Sequence, residues 1–217
     1  MIVYHYTRLT DWRGIAEGSS KSNDLPGLAP NMFLANWDPE CRKVRASFAF
    51  LNPLPPEWIS NHEFPYIWAT LKSNIGKLLL ELTVDEDRTF VVDWGHREGV
   101  LSPDKSTVPS RYCHDSEFAA EAAYVKSMIP LKDYLSGNVD SPYSLPEVVI
   151  PETIPLSRIA ISQQQPLLEE MLGKVPEGSF RRYRLREIMD IPQLKGWYSG
   201  YLERAGGRIE SPKGFAK

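Results

Sequence analysis

Glu147 stands at the head of Leu145-Pro146-Glu147-Val148-Val149-Ile150-Pro151, where one carboxylate precedes three β-branched residues between prolines. Proline cannot donate to a sheet ladder and drives its predecessor toward extended geometry, so the flanks mark a strand over 147–150. A carboxylate at such a strand mouth is a charge that a rigid scaffold can aim at a ligand; the plain alternative is a solvated strand end. His5, in Ile2-Val3-Tyr4-His5-Tyr6-Thr7, is the second candidate, because neutral imidazole both donates and accepts hydrogen bonds. Its alternative is a satisfied, half-buried strand histidine. Cys113-His114 offers a thiol beside a base, yet neighbours on a strand point to opposite faces, which argues against a nucleophile–base pair. His62, His96 and His114 lack metal-ligand spacing. Arg181-Arg182-Tyr183-Arg184-Leu185-Arg186 interleaves cations with an aromatic, as nucleic-acid grooves do. A solvated helix face, or a patch meeting an acidic body, would look the same.

The elements that must position these residues follow from periodicity and punctuation. Residues 2–7 read as a strand, with Val3, His5 and Thr7 on one face and Ile2, Tyr4 and Tyr6 on the other. Thr10 reads as the N-cap of a helix over 11–17, closed by Gly18. Residues 18–31 are turn-rich and read as a long loop, of the kind that covers ligand sites. Val44, Phe48 and Leu51 recur at helical spacing and predict a helix over 38–50, and the prolines of 52–66 predict irregular chain. Strands over 78–84 and 89–94 are joined by Asp85-Glu86-Asp87-Arg88, which reads as a hairpin or a tight connection. Residues 95–112 read as loop, with Asp93-Trp94-Gly95-His96 ending a strand in a turn. An alanine-rich helix over 117–125 carries Ser116 as its cap, and a helical turn follows over 131–135. A short strand over 159–162 and a helix over 165–173 complete the series. Strands and helices in this order predict an α+β fold rather than alternating βα units. No glycine-rich phosphate loop and no G-x-G-x-x-G is present.

Composition sets the frame. The chain has 217 residues, 42% hydrophobic and 24% charged, which suits a globular domain with one sizeable core and an appendage. No apolar run approaches the roughly 18 residues of a membrane span, and the sequence begins directly as a strand, without a signal-peptide pattern. Cys41 and Cys113 are too few for a disulfide framework. A cytoplasmic location is expected, and leaderless export is compatible with it. Net charge is −3, split into about −8 over residues 1–173 and +5 over 174–217. The division expected is therefore a domain over 1–173 and a basic, aromatic extension over 174–217.

Tyr4-His5-Tyr6-Thr7 on the first strand, and Pro146-Glu147-Val148-Val149-Ile150-Pro151 followed by Ile154-Pro155-Leu156, together resemble the ADP-ribosyltransferase superfamily in its His-Tyr-Glu branch. The resemblance spans the order of elements over 2–161 and rests on its two ends. It implies split antiparallel β-sheets flanked by helices, NAD as co-substrate, and transfer of ADP-ribose to a protein or nucleic-acid acceptor, in a bacterial toxin or effector setting. It implies Glu147 as the catalytic carboxylate. His5 would hold the adenosine-side ribose, the Tyr6 backbone the nicotinamide amide, and Thr7 the turn beside it. The branch's tyrosine, which stacks on nicotinamide, falls to Tyr124, in Tyr124-Val125-Lys126-Ser127, with Ser127 beside it; Tyr112 and Tyr66 are the other candidates. The helix expected over 117–125 sits awkwardly with the middle strand on which the family carries that tyrosine. Leu145 stands where arginine-modifying members have a second carboxylate or a glutamine, which argues against arginine as acceptor. NAD hydrolysis and a non-catalytic nucleic-acid-binding module using Arg181, Arg182, Arg184 and Arg186 are the rival expectations.

Overall fold

The computed structural model describes residues 1–7, 9–17, 26–34, 43–59, 78–101, 106 and 108–164. Two antiparallel sheets organise them. In the first, β1 (Ile2–Thr7) and β10 (Ile159–Ile161) flank β5 (Leu78–Thr83). The second runs in the order β3 (Met32–Phe33), β4 (Arg45–Ala49), β8 (Pro146–Ile150), β6 (Phe90–Asp93), β7 (Ile129–Pro130). A small ladder pairs β2 (Gly27–Leu28) with β9 (Ile154–Pro155). The two sheets meet where Tyr4 and Phe50 exchange backbone hydrogen bonds of 2.8 and 2.7 Å.

The strand that carries Glu147 is the most enclosed. β8 pairs with β4 on one edge and β6 on the other, and Val148, Val149 and Ile150 are all buried. Val148 and Ile150 pack with Val3, Leu80, Leu82 and Ile154; Val149 packs with Leu34, Ala46, Val92 and Tyr124 on the opposite face. A strand covered on both faces reads as a continuous β-branched run, as this one does. Burying each of these aliphatic side chains contributes about 1.5–3 kcal/mol. Side chains alternate along a strand, so Glu147 falls on the Val149 face.

The helices cover these faces. α1 (Leu9–Glu17) sets Ile15 and Trp12 against the first core, and it starts at Leu9, so Thr10 lies inside its first turn rather than capping it. α2 (Pro56–Ile59) is one turn that delivers Trp58. α3 (Gly95–Leu101) packs against α4 (Glu117–Lys126), and α5 (Leu131–Leu135) follows β7. Ser116 caps α4 as expected, its hydroxyl accepting from the Ala119 amide at 3.1 Å.

Two further expectations are corrected. Within the helix expected over 38–50, residues 45–49 are a strand, and residues 38–42 lie outside the described residues; Ala46 and Phe48 recur at period two and face the second core, and pairing to β3 and β8 outweighs the helical spacing of Val44, Phe48 and Leu51. Of the two readings for 85–88, the tight connection holds and the hairpin does not, because β5 and β6 enter different sheets. The loop over 95–112 contains α3 and a 3-10 turn at Ser110–Tyr112. Its glycines are demanded by packing, not by a loop: a Cβ on Gly99 would lie 2.3 Å from the Tyr112 carbonyl oxygen, and one on Gly95 2.8 Å from the Tyr112 ring. The helix expected over 165–173 and the whole basic extension lie outside the described residues.

Gly99→Ala should therefore destabilise the protein by about 1–3 kcal/mol through overpacking. Gly14→Ala, in α1 with nothing within 4 Å of the new methyl, should stabilise it by about 1 kcal/mol. Urea unfolding of the two variants checks both signs.

Candidate active site

Glu147 begins the alternation of β8, and its Oε2 accepts a 2.8 Å hydrogen bond from the Tyr124 hydroxyl. Tyr124 is presented by α4, fully buried, on the face that covers Val149. Burial pushes the Glu147 carboxyl up to about 7, while the Tyr124 hydrogen bond and the nearby Arg97 charge pull it down. The same burial, with the Glu147 charge beside it, pushes the Tyr124 phenol well above its usual range. Tyr124 is therefore a neutral donor and Glu147 an acceptor that exchanges protons near neutrality.

A cation completes the group. The Arg97 guanidinium lies over the Tyr124 ring at 4.3 Å and over Trp94 at 5.1 Å. Its Nη2 donates to Glu121 Oε1 at 2.7 Å and to the Leu34 carbonyl at 3.2 Å, which fixes it in place. Trp94 meets the edge of Tyr124 at 5.9 Å, and its indole N–H donates to Glu98 Oε2 at 3.1 Å. Glu98 is fully buried, its Oε1 has no hydrogen-bond partner, and burial raises it from 4.5 to about 7.

The head of β8 is pinned from three sides. Trp58 Nε1 donates to the Pro146 carbonyl at 2.9 Å, and the Trp94 amide donates to the Leu145 carbonyl at 2.9 Å. Asp93 accepts from the Leu145 amide at 3.1 Å, from the Gly95 amide at 3.1 Å and from the Tyr112 hydroxyl at 2.6 Å. An aromatic series, Tyr6–Phe50–Trp58–Trp94–Tyr124, connects β1 to the Glu147 pair with ring centroids 5.1–6.5 Å apart.

The residues singled out by sequence separate into two groups. Tyr124 and Glu147 come together. His5, Tyr6 and Thr7 lie on β1, and no hydrogen bond or ion pair among the described residues joins them to Glu147. His5 Nδ1 donates to the Phe48 carbonyl at 2.6 Å, which leaves Nε2 as an acceptor in the neutral ring. Burial lowers the His5 pKa more than that hydrogen bond raises it. The Tyr6 hydroxyl donates to the Pro53 carbonyl. Ser127 is a structural cap: its hydroxyl donates to the Tyr124 carbonyl at 2.6 Å and accepts from the Asp93 amide at 2.9 Å. Tyr112 is spent on Asp93, and Tyr66 lies outside the described residues. Cys113 follows the 3-10 turn rather than sitting on a strand, and its exposed thiol donates to the Val108 carbonyl at 3.5 Å. Trp94, Arg97 and Glu98 were missed. Their i, i+3, i+4 spacing was the available signal for one helical face.

No family model, no curated protein and no solved structure matches the chain. Among the described residues, no helix is long and apolar enough to cross a membrane.

Two titrations follow. Tyr124→Phe removes the hydrogen bond that favours the ionised carboxyl, so Glu147 should titrate above its present value of about 7, read by carbon-detected NMR of labelled glutamate. Glu98 is raised in the fold, so its protonated form favours folding, and stability falls as pH rises from about 4.5 to about 7. Glu98→Gln should remove that loss, about 3 kcal/mol at pH 8, and chemical unfolding of both proteins across pH 5–8 reads it.

Proposed function

We propose that the protein cleaves the nicotinamide–ribose bond of NAD and transfers ADP-ribose to a protein or nucleic-acid acceptor, with Glu147 as the catalytic carboxylate. The observation that carries this is the Glu147–Tyr124 pair: a carboxylate at a strand mouth, one oxygen held by a neutral phenol at 2.8 Å. Loss of nicotinamide leaves an oxocarbenium-like ribose, and a preorganised carboxylate in a poorly solvated site stabilises that charge far better than water does. With Oε2 fixed by Tyr124, Oε1 is the oxygen for the ribose 2′-hydroxyl. The ionised form does this work, so turnover rises with pH through the Glu147 pKa of about 7.

In this reading Tyr124 acts through its hydroxyl. Its ring is fully buried between Arg97 and Trp94 and has no face to lend to nicotinamide. His5, neutral and with Nε2 as acceptor, suits a ribose hydroxyl. Two antiparallel sheets bridged at Tyr4 and Phe50 are compatible with the split-sheet architecture of ADP-ribosyltransferases. Leu145 is fully buried with its amide and carbonyl both engaged, which supports an acceptor other than arginine.

Nicotinamide release from NAD by the purified chain tests the proposal. Glu147→Gln should lower it about 10²–10³-fold with folding intact, and His5→Ala should act on NAD binding more than on turnover. Release that grows with cell lysate identifies transfer; release indifferent to lysate identifies hydrolysis by the same carboxylate. No release, together with no thermal stabilisation by NAD, overturns the assignment.

A further inference from the structure

α3 and the segment after the 3-10 turn meet through two histidines that lie 18 residues apart in sequence. His96 Nδ1 and His114 Nε2 are 3.0 Å apart, with ring centroids 5.2 Å apart and planes inclined by 51°. This is a ring-to-ring N–H···N hydrogen bond, in which one nitrogen donates and the other accepts. The acceptor needs its lone pair, so the bond exists only while at least one ring is neutral. Both rings are half-buried, and the His96 ring meets Tyr112 edge-on at 5.0 Å. The Arg111 guanidinium lies over that same tyrosine, 4.5 Å from its ring centroid.

We propose that His96 and His114 form an acid-opened clasp between α3 and residues 110–114. Near neutrality the facing nitrogens share one proton, and the bond ties the two segments together. A second proton turns both nitrogens into donors and sets two cations against each other, so the bond is lost. Arg111 adds a third positive charge within electrostatic reach of His96. The anion within that reach, Asp93, is already engaged by the Gly95 and Leu145 amides and the Tyr112 hydroxyl. On α3 itself, Arg97 is paired with Glu121 of α4, and Glu98 accepts from Trp94. α4, which packs on α3, also carries Glu117 and Lys126, and Asp115 leads into it. Burial lowers the His96 pKa, and His114 and Arg111 lower it further against the opposing pull of Asp93. The unfolded chain therefore takes up this proton more readily. Stability carried by the clasp is present above pH 6.5 and is lost as pH falls through the folded His96 pKa. Tyr112 belongs to the released segment, so opening works against its hydrogen bond to Asp93 and loosens the head of β8. The clasp stands apart from the reaction assigned to Glu147.

The full chain, labelled with nitrogen-15, is followed by NMR as pH is lowered from about 7.5 to about 5, across the histidine range. At the upper end, nitrogen–nitrogen coupling through the hydrogen bond should join His96 Nδ1 to His114 Nε2, and it should vanish at the lower end. Hydrogen-exchange protection factors, which are corrected for the intrinsic effect of pH, are read for the Tyr112 and Cys113 amides. They should fall by up to about tenfold per pH unit for one linked proton. His96→Gln and His114→Gln should each abolish most of that fall. Glu98 moves global stability the other way with pH, which is why the readout is local. The coupling measurement uses the unaltered chain and does not depend on either variant folding. Coupling absent at the upper end or persisting at the lower end overturns the proposal. So does protection that does not fall, or that falls equally in both variants.

Discussion

The buried carboxylate of Asp93 is the constraint on which the rest of the structure depends. It is 3% exposed, and a carboxylate removed from water to that degree costs several kcal/mol unless its oxygens are satisfied. Here they are satisfied by donors from three different places: the first residue of α3, the hydroxyl of Tyr112 and the backbone just before β8. Charge-assisted hydrogen bonds are the strong ones, so one side chain sets where β6 ends, where α3 begins and where the Glu147 strand is delivered. The Asp93 amide is occupied as well, by the Ser127 hydroxyl at the end of α4.

The Glu147 group is built on a second, subtler balance. The Arg97–Glu121 ion pair is largely buried, and such a pair contributes little net stability once the loss of hydration is counted. Its effect is positional: it holds a guanidinium over the Tyr124 ring, and Tyr124 in turn orients Glu147. A carboxyl, a phenol, a guanidinium and a second carboxyl follow one another, each fixed by the next. Trp94 ties that series to Glu98, a carboxyl with an unsatisfied oxygen and no access to water. Such groups make the region electrostatically expensive, and expense of this kind concentrates where proteins do chemistry.

Legibility in the sequence followed the physics of each element. β1, β8 and α4 could be read because their signals were local: β-branched runs between prolines, and an alanine-rich stretch with a serine cap. α3 could not, because Gly95 and Gly99 signal a loop on their own and acquire their meaning only from Tyr112 packed against them. β4 was misread because two periodicities overlap in one short stretch, and only its neighbours decide between them. Glu147 and Tyr124 were named as candidates, but what joins them is one hydroxyl at the far end of a buried ring. Arg97 and Glu98 stayed hidden for the same reason as α3, since they are its side chains, and Trp94 is the residue that leads into it.

β8 lies between β4 and β6, and both are made before it. Until residues 146–150 arrive, those two strands present unpaired edges toward each other's future neighbour, with apolar faces already formed. Closing the sheet requires a late segment to insert between two early ones, across connections of some fifty to a hundred residues, and loop-closure entropy makes such pairings slow. Unpaired edges waiting for a partner are also the species most open to misassembly. The residue that heads the inserting strand is Glu147, so on this order of events the site comes into being only when the second sheet closes.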